Sequence, residues 1–260
     1  MPDVKKTFLA VLLVAVAAAA SPAAYRVIGH QGPESRMEGF PALMIWAWER
    51  PEDLRFIDSD ATGVAFLAVT INVSEDDVSV RPRYQPLLVP DGTRLMAVAR
   101  IESDARRPPR FTEQQRENVV AEILELAQLK NVTAVQVDFD AMKSERAFYG
   151  LMLRDLRDRL PKSTALSITA LASWCTYDDW IAGLPVDEAV PMLFRMGVDD
   201  RQVRIHLNAG KDFRPGICQG SAGIATDEPV PKLPGGGRVY VFHSRAWSEE
   251  AFTTAVREVF

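Results

Sequence analysis

From residue 42 to the C-terminus, short apolar runs of strand character alternate with segments of helical character, and this alternation constrains the fold more than any other feature. Residues 43–48, 64–71, 95–101, 133–140, 165–174, 189–196, 223–227 and 238–243 read as eight successive strands. Strands alternating with helices build a parallel sheet, and eight such steps close into a barrel. Helix starts are expected at Pro51-Glu52-Asp53, at Thr112 with Gln115 completing a capping box, at Ser144, at Asp178, at Arg201 and at Ser248. Residues 72–94 hold no helical pattern, which leaves the second step weak; the Gly-containing seventh strand is weak too. An open doubly wound sheet is the competing architecture. It would carry a Gly-rich phosphate turn after its first strand, where Trp48-Glu49-Arg50-Pro51 stands instead. Neither that fingerprint nor a P-loop occurs, so no nucleotide cofactor is expected. The expectation is a (β/α)8 barrel over residues 40–260, compact and with short loops, because roughly 220 residues lie at the lower end of the usual range. Short loops predict an open groove suited to a polymer chain.

The fourth of these strands has an unusual face. Alternate side chains of a strand point to opposite sides, so Val135, Val137 and Phe139 suit a helix layer. Gln136, Asp138 and Asp140 then point into whatever the sheet encloses, where an unpaired charge is costly. Two acids at the C-terminal end of a barrel strand are raw material for acid–base chemistry on sugars. The structural alternative is a network in which neighbouring Arg residues hold both acids.

Reading the other strand ends gives a polar, acid-rich ring: Glu49, Asn72, Glu102, Ser173 with Trp174, Arg195, Asp227 with Glu228, and His243 with Arg245. Asp138, Asp140, Glu228 and Glu49 are the candidate catalytic acids. On this reading Arg195 pairs with Asp138 and keeps it ionised, while Asp140 or Glu228 stays protonated as donor. Trp48, Trp174 and Trp247 lie beside the same rim and, with Arg195 and His243, are candidate substrate contacts; for each Trp, packing is the competing role. A Ser hydrolase is disfavoured because Gly220-Ser221-Ala222-Gly223 lacks the nucleophile-elbow pattern.

The N-terminus has the pattern of an export signal. Lys5 and Lys6 precede an apolar run from Phe8 to Ala20, and Ser21-Pro22-Ala23-Ala24 follows. That run is shorter than the ~20 residues of a membrane span. Residues 1–23 are therefore expected to be a secretory peptide, with an uncleaved anchor as the alternative, and residues 24–39 an arm. No membrane span is expected after cleavage, and the destination is periplasmic or extracellular. A net charge of −5 argues against a nucleic-acid partner. Cys175 and Cys218 are the only cysteines, and in an oxidising compartment a disulfide is expected; two buried thiols are the alternative. His30, His206 and His243 are scattered, so no Cys/His metal site is expected.

Val135-Gln-Val-Asp-Phe-Asp-Ala141, Ser144-Glu-Arg146 with Phe148-Tyr149, Leu166 through Trp174, and Val190-Pro-Met-Leu-Phe-Arg-Met196 resemble a family of exported bacterial proteins, domain of unknown function 3142. The likeness runs from about residue 40 onward and implies no particular activity. A more distant resemblance is to chitinase-type glycoside hydrolases, whose fourth barrel strand ends in D-x-x-D-x-D-x-E. Asp138 and Asp140 match its second and third Asp, Val135 stands at the first, and Met142 stands where the proton-donating Glu belongs. This resemblance implies a barrel that acts on or binds a carbohydrate or envelope glycan; the departure at Met142 favours a non-catalytic glycan-binding barrel as the alternative. Glu145 is expected in the first turn of the next helix, complementing its dipole.

Overall fold

The computed structural model describes residues 35–259; the expected signal segment and residues 24–34 of the arm lie outside the described residues. In chain order the elements are β1 (Leu43–Ala47), β2 (Glu52–Asp53), β3 (Thr62–Ser74), β4 (Asp77–Pro82), β5 (Leu87–Leu88), β6 (Leu95–Ser103), α1 (Glu113–Leu126), β7 (Val132–Asp138), α2 (Arg146–Arg159), β8 (Ala165–Leu171), α3 (Ala172–Thr176), β9 (Glu188–Met192), α4 (Asp200–Asn208), β10 (Ser221–Ala225), β11 (Arg238–Phe242) and α5 (Glu249–Val259). Neighbours pair in the order β1, β3, β6, β7, β8, β9, β10, β11 and back to β1, all of them parallel. The chain is a closed eight-stranded parallel barrel with helices between several of its strands.

The apolar periodicity assigns the two sides of the wall. Val135, Val137 and Phe139 pack outward with Val119 and Ile123 of α1 and Phe148 and Met152 of α2. Thr112 caps α1, with its hydroxyl accepting from Gln115 N–H and the Gln115 side chain accepting from Thr112 N–H. The helix expected from Ser144 begins instead at Arg146, after one tight turn. The Glu145 carboxylate accepts the Met142 N–H at 2.7 Å and fixes that turn. Phe148, Met152 and Leu156 form the buried face of α2, and Leu151 is exposed.

Two further expectations are corrected. Pro51-Glu52-Asp53 opens no helix: Glu52 and Asp53 pair as extended chain with Leu87 and Leu88, and the buried Glu52 carboxylate accepts the Trp247 N–H at 2.9 Å. The strand expected to reach Trp174 ends at Leu171, where α3 starts. In place of a second-step helix, β4 folds back antiparallel on β3, from Ser74↔Asp77 to Val69↔Pro82.

The barrel interior carries Met44, Trp46, Leu67, Met96, Val98 and Tyr240, threaded by a hydrogen-bonded string. Trp46 Nε1 donates to Gln136 Oε1 (2.9 Å), Gln136 Nε2 to Ser167 Oγ (3.0 Å), and Ser167 Oγ to Glu188 Oε2 (3.0 Å). Glu188 also receives the Tyr240 hydroxyl and the Arg238 guanidinium, each at 2.6 Å. Removing one partner from such a pair strands a buried charge, at about 3–5 kcal/mol. Arg238 reaches on to the carbonyls of Met37 and Pro41, and Met37 packs into the interior, so residues 37–41 close the N-terminal face. The open mouth is at the opposite end. Cys175 of α3 is bonded to Cys218 before β10, with Cα atoms 5.9 Å apart.

Candidate functional site

At the C-terminal mouth lie two hollows that share Arg100, Asp138 and Asp140 in their walls. The first has a volume of about 410 Å³ and is walled by Trp46, Trp48, Met192, Phe194 and Phe242, with Thr169 and Ser173 beside the acids. The second, about 860 Å³, is walled by polar side chains of β3, β4 and β6 and the loop after β6, with Phe139 and Met142 beside them. The acids therefore stand at the divide between an aromatic lobe and a polar one.

Gln136, Asp138 and Asp140 face inward, as the alternation of the strand requires, although β7 ends at Asp138 and Asp140 belongs to the following loop. Asp138 is half-buried and accepts the Thr169 hydroxyl at 2.7 Å. Burial is the main force raising its carboxyl to about 6, helped by the Asp140 charge beside it, while the Thr169 hydrogen bond and Arg100 pull the other way. Asp140 is more exposed at the surface; burial raises its carboxyl too, against Arg100. Arg100 makes its own ion pair with Glu102, 2.9 Å away. Among the described residues neither aspartate has a Lys or Arg within ion-pair distance, so the guanidinium-clamped alternative does not describe this pair.

The pairing expected between Arg195 and Asp138 is not formed. Arg195 lines the aromatic lobe but pairs with Asp227 at 3.0 Å and lies over the Phe194 and Phe242 rings, so it does not hold Asp138 ionised. Its backbone is left-handed (φ 51°), and its N–H is held by both Glu228 carboxylate oxygens at 3.0 and 3.2 Å. A strained residue fixed in this way at a cleft wall fits a functional position.

Several other sequence candidates sit apart from the cleft. Glu49 pairs with Arg81 at 2.6 Å and accepts from Thr70, outside both hollows. Glu228 is likewise outside, occupied with the Arg195 backbone. His243 contacts Thr226 Oγ1 through Nδ1 at 2.6 Å and packs on Trp247; burial and the nearby Arg245 and Arg50 lower its pKa. Trp174, turned outward by α3, packs edge-on against Trp180 with ring centroids 5.0 Å apart. Trp247 is buried outside β1, where its indole N–H donates to Trp46 O at 3.0 Å. Trp48 does line the aromatic lobe, with its ring edge-on to Phe242.

Trp46, Thr169, Phe194 and Phe242 were missed in the sequence. For three of them the signal was present: Trp46 and Trp48, Ser167 and Thr169, and Tyr240 and Phe242 are all two-residue steps on the inward face of their strands. Phe194 lies one further step along the face of Val190 and Met192, past the end of β9. Its ring stacks on Phe242 with an interplanar angle of 2° and meets Trp46 edge-on.

Fold and site together define a parallel barrel whose open mouth is a two-lobed cleft divided by paired carboxyls. Residues 91–201 match the family described as Domain of unknown function (DUF3142), the family that the sequence resembles, over a narrower stretch than the resemblance suggested. No curated protein matches the chain. Among solved structures it is similar to the Bacillus cereus spore cortex-lytic enzyme SleL, with a TM-score of 0.44, 16% identity, and 83% of this chain and 57% of that one covered. It is also similar to the chitinase domain of the spore coat protein CotE from Clostridium difficile, with a TM-score of 0.41, 12% identity, and 78% and 65% covered. The chain thus spans less than two thirds of either structure, and likenesses this loose carry nothing about activity.

Proposed function

We propose that this protein is an exported, glycoside-hydrolase-like barrel that acts on a carbohydrate polymer at the Asp138–Asp140 cleft. The observation that carries this reading is the Asp138 carboxyl, raised to about 6 at the boundary of an aromatic-walled hollow and beside a second acid. Two carboxyls driven to different protonation states are the pair that glycosidic cleavage needs. Asp138 keeps its proton in mildly acidic solution and donates it to the leaving oxygen. Asp140, the more exposed of the two, serves as the ionised partner. The faces of Trp48 and Phe242 offer apolar surface to a sugar ring, while Thr169 orients Asp138 through its hydroxyl. The Lys5–Lys6 flank and the short apolar run behind it support export, and the net charge of −5 suits a glycan partner better than a nucleic acid.

A second reading, a barrel that binds a glycan without cleaving it, is favoured by one observation. Met142 occupies the position of the chitinase-type proton donor, and Glu145 is committed to the Met142 N–H. Turnover and binding assays on cell-wall and capsule oligosaccharides, run in parallel at pH 5, separate the two. Product release that Asp138→Asn and Asp140→Asn each reduce by about a hundredfold or more supports the hydrolase. Binding without product supports the binding protein. Full activity in both folded variants overturns the assignment of the acids.

A further inference from the structure

The polar hollow owes its existence to the missing second-step helix. β3 pairs with β1 only as far as Ala47↔Phe66, yet it continues to Ser74 beside β6, with β4 on its outer edge. The eight residues from Leu67 to Ser74 project about 25 Å at strand spacing. The result is a three-stranded blade standing above the rim. Its outer face is apolar: Ile71, Val73 and Ile101 pack with Val119 and Ile123 of α1. Its inner face is polar. Thr70, Arg100 and Asp138 share one cross-strand row, and Ser79, Asn72 and Glu102 share the row two residues further out. The outer row lies about 7 Å beyond the acids.

We propose that this blade forms a second sugar-binding lobe, so that the polymer crosses both hollows and an internal segment of it lies over Asp138 and Asp140. The inference rests on the glycan reading above and adds to it where the chain runs and which end-to-end length is recognised. Two observations converge. Arg100, Asp138 and Asp140 line both hollows, so a ligand at the acids borders each of them. The inner wall of the second hollow carries Asn72, Ser74, Ser79, Glu102 and Arg106, a set of amide, hydroxyl, carboxylate and guanidinium groups matched to sugar hydroxyls. The lobes divide the work: aromatic faces on one side of the acids, hydrogen bonds on the other.

The test uses the full chain and three β-1,4-linked ladders of two to ten rings: cellulose oligomers, chitin oligomers and peptidoglycan glycan strands. Titration calorimetry is run on native protein and on Asn72→Ala, Ser79→Ala and Trp48→Ala. Affinity in one ladder is expected to rise with length, and Asn72→Ala and Ser79→Ala each to abolish the rise, lowering affinity for long rungs about fivefold while sparing the shortest that binds. Trp48→Ala lowers affinity at every length. Ser79→Ala, at an exposed position of β4, leaves thermal stability unchanged, which separates lost contact from lost fold. Length-independent binding that only Trp48→Ala weakens overturns the second lobe and leaves the glycan reading intact. Absence of binding to all rungs of all three ladders overturns both.

Discussion

Replacing Asp138 with Asn should stabilise the protein at neutral pH while removing its function. The Asp138 carboxyl titrates near 3.8 in an unfolded chain and at about 6 in the fold, mainly through burial and then through the Asp140 charge. The folded state therefore holds this proton more tightly than the unfolded state, and native stability falls as pH rises through the window from about 4 to 6. About two units, at about 1.36 kcal/mol each, amount to about 3 kcal/mol; water entering the mouth screens part of this, leaving about 1–3 kcal/mol. Asn keeps an acceptor for the Thr169 hydroxyl and has no charge to desolvate. Urea unfolding of both proteins between pH 3.5 and 8 measures the difference directly. It should be near zero at the acid end, grow in favour of Asp138→Asn through pH 4–6 and stay constant above. A variant equally or less stable than the native protein at pH 8 would refute the reasoning, because the acid would then not be strained by its site.

Gly223→Ala should cost about 1–3 kcal/mol, since the new Cβ would lie 2.7 Å from Trp46 Cη2 and 3.5 Å from Val190 Cγ1, and the indole is pinned by its bond to Gln136; a neutral result in urea would contradict the packing of the cleft floor. Cys175→Ser should lose about 4 kcal/mol, the chain-entropy value for a crosslink spanning 43 residues, and reduction with dithiothreitol should match it; a loss below about 1 kcal/mol would show that the bridge constrains little. Tyr149→Phe should be neutral or stabilising by about 1 kcal/mol, because its buried hydroxyl lacks a hydrogen-bond partner; destabilisation in the same assay would reveal a partner.

The barrel was legible because its strands follow two simple patterns, continuous apolar runs and period-two alternation, and β7 shows both its faces in a few residues. Alternation also predicted which way Asp138 points. What failed depended on contacts distant in sequence. Glu52 reads as a helix-opening acid, but a backbone N–H almost two hundred residues away claims it. Trp174 reads as a strand end, but the chain turns into α3 three residues earlier and carries the indole into the helix layer. Arg195 reads as a partner for Asp138, but Asp227 holds it instead, and no local pattern reveals such competition. Residues 72–94 were seen to lack a helix, yet the blade that replaces it needed the pairing of β3 with β4 to become visible.

The most direct test of the central claim is a carbon-13 NMR titration of the Asp138 side-chain carboxyl, assigned by comparison with Asp138→Asn. The site described here predicts a midpoint of about 6, moving downward when Asp140 is replaced by Asn. A midpoint at or below the ordinary 3.8, indifferent to Asp140, would mean a well-solvated surface acid and would remove the basis for proton transfer to a sugar.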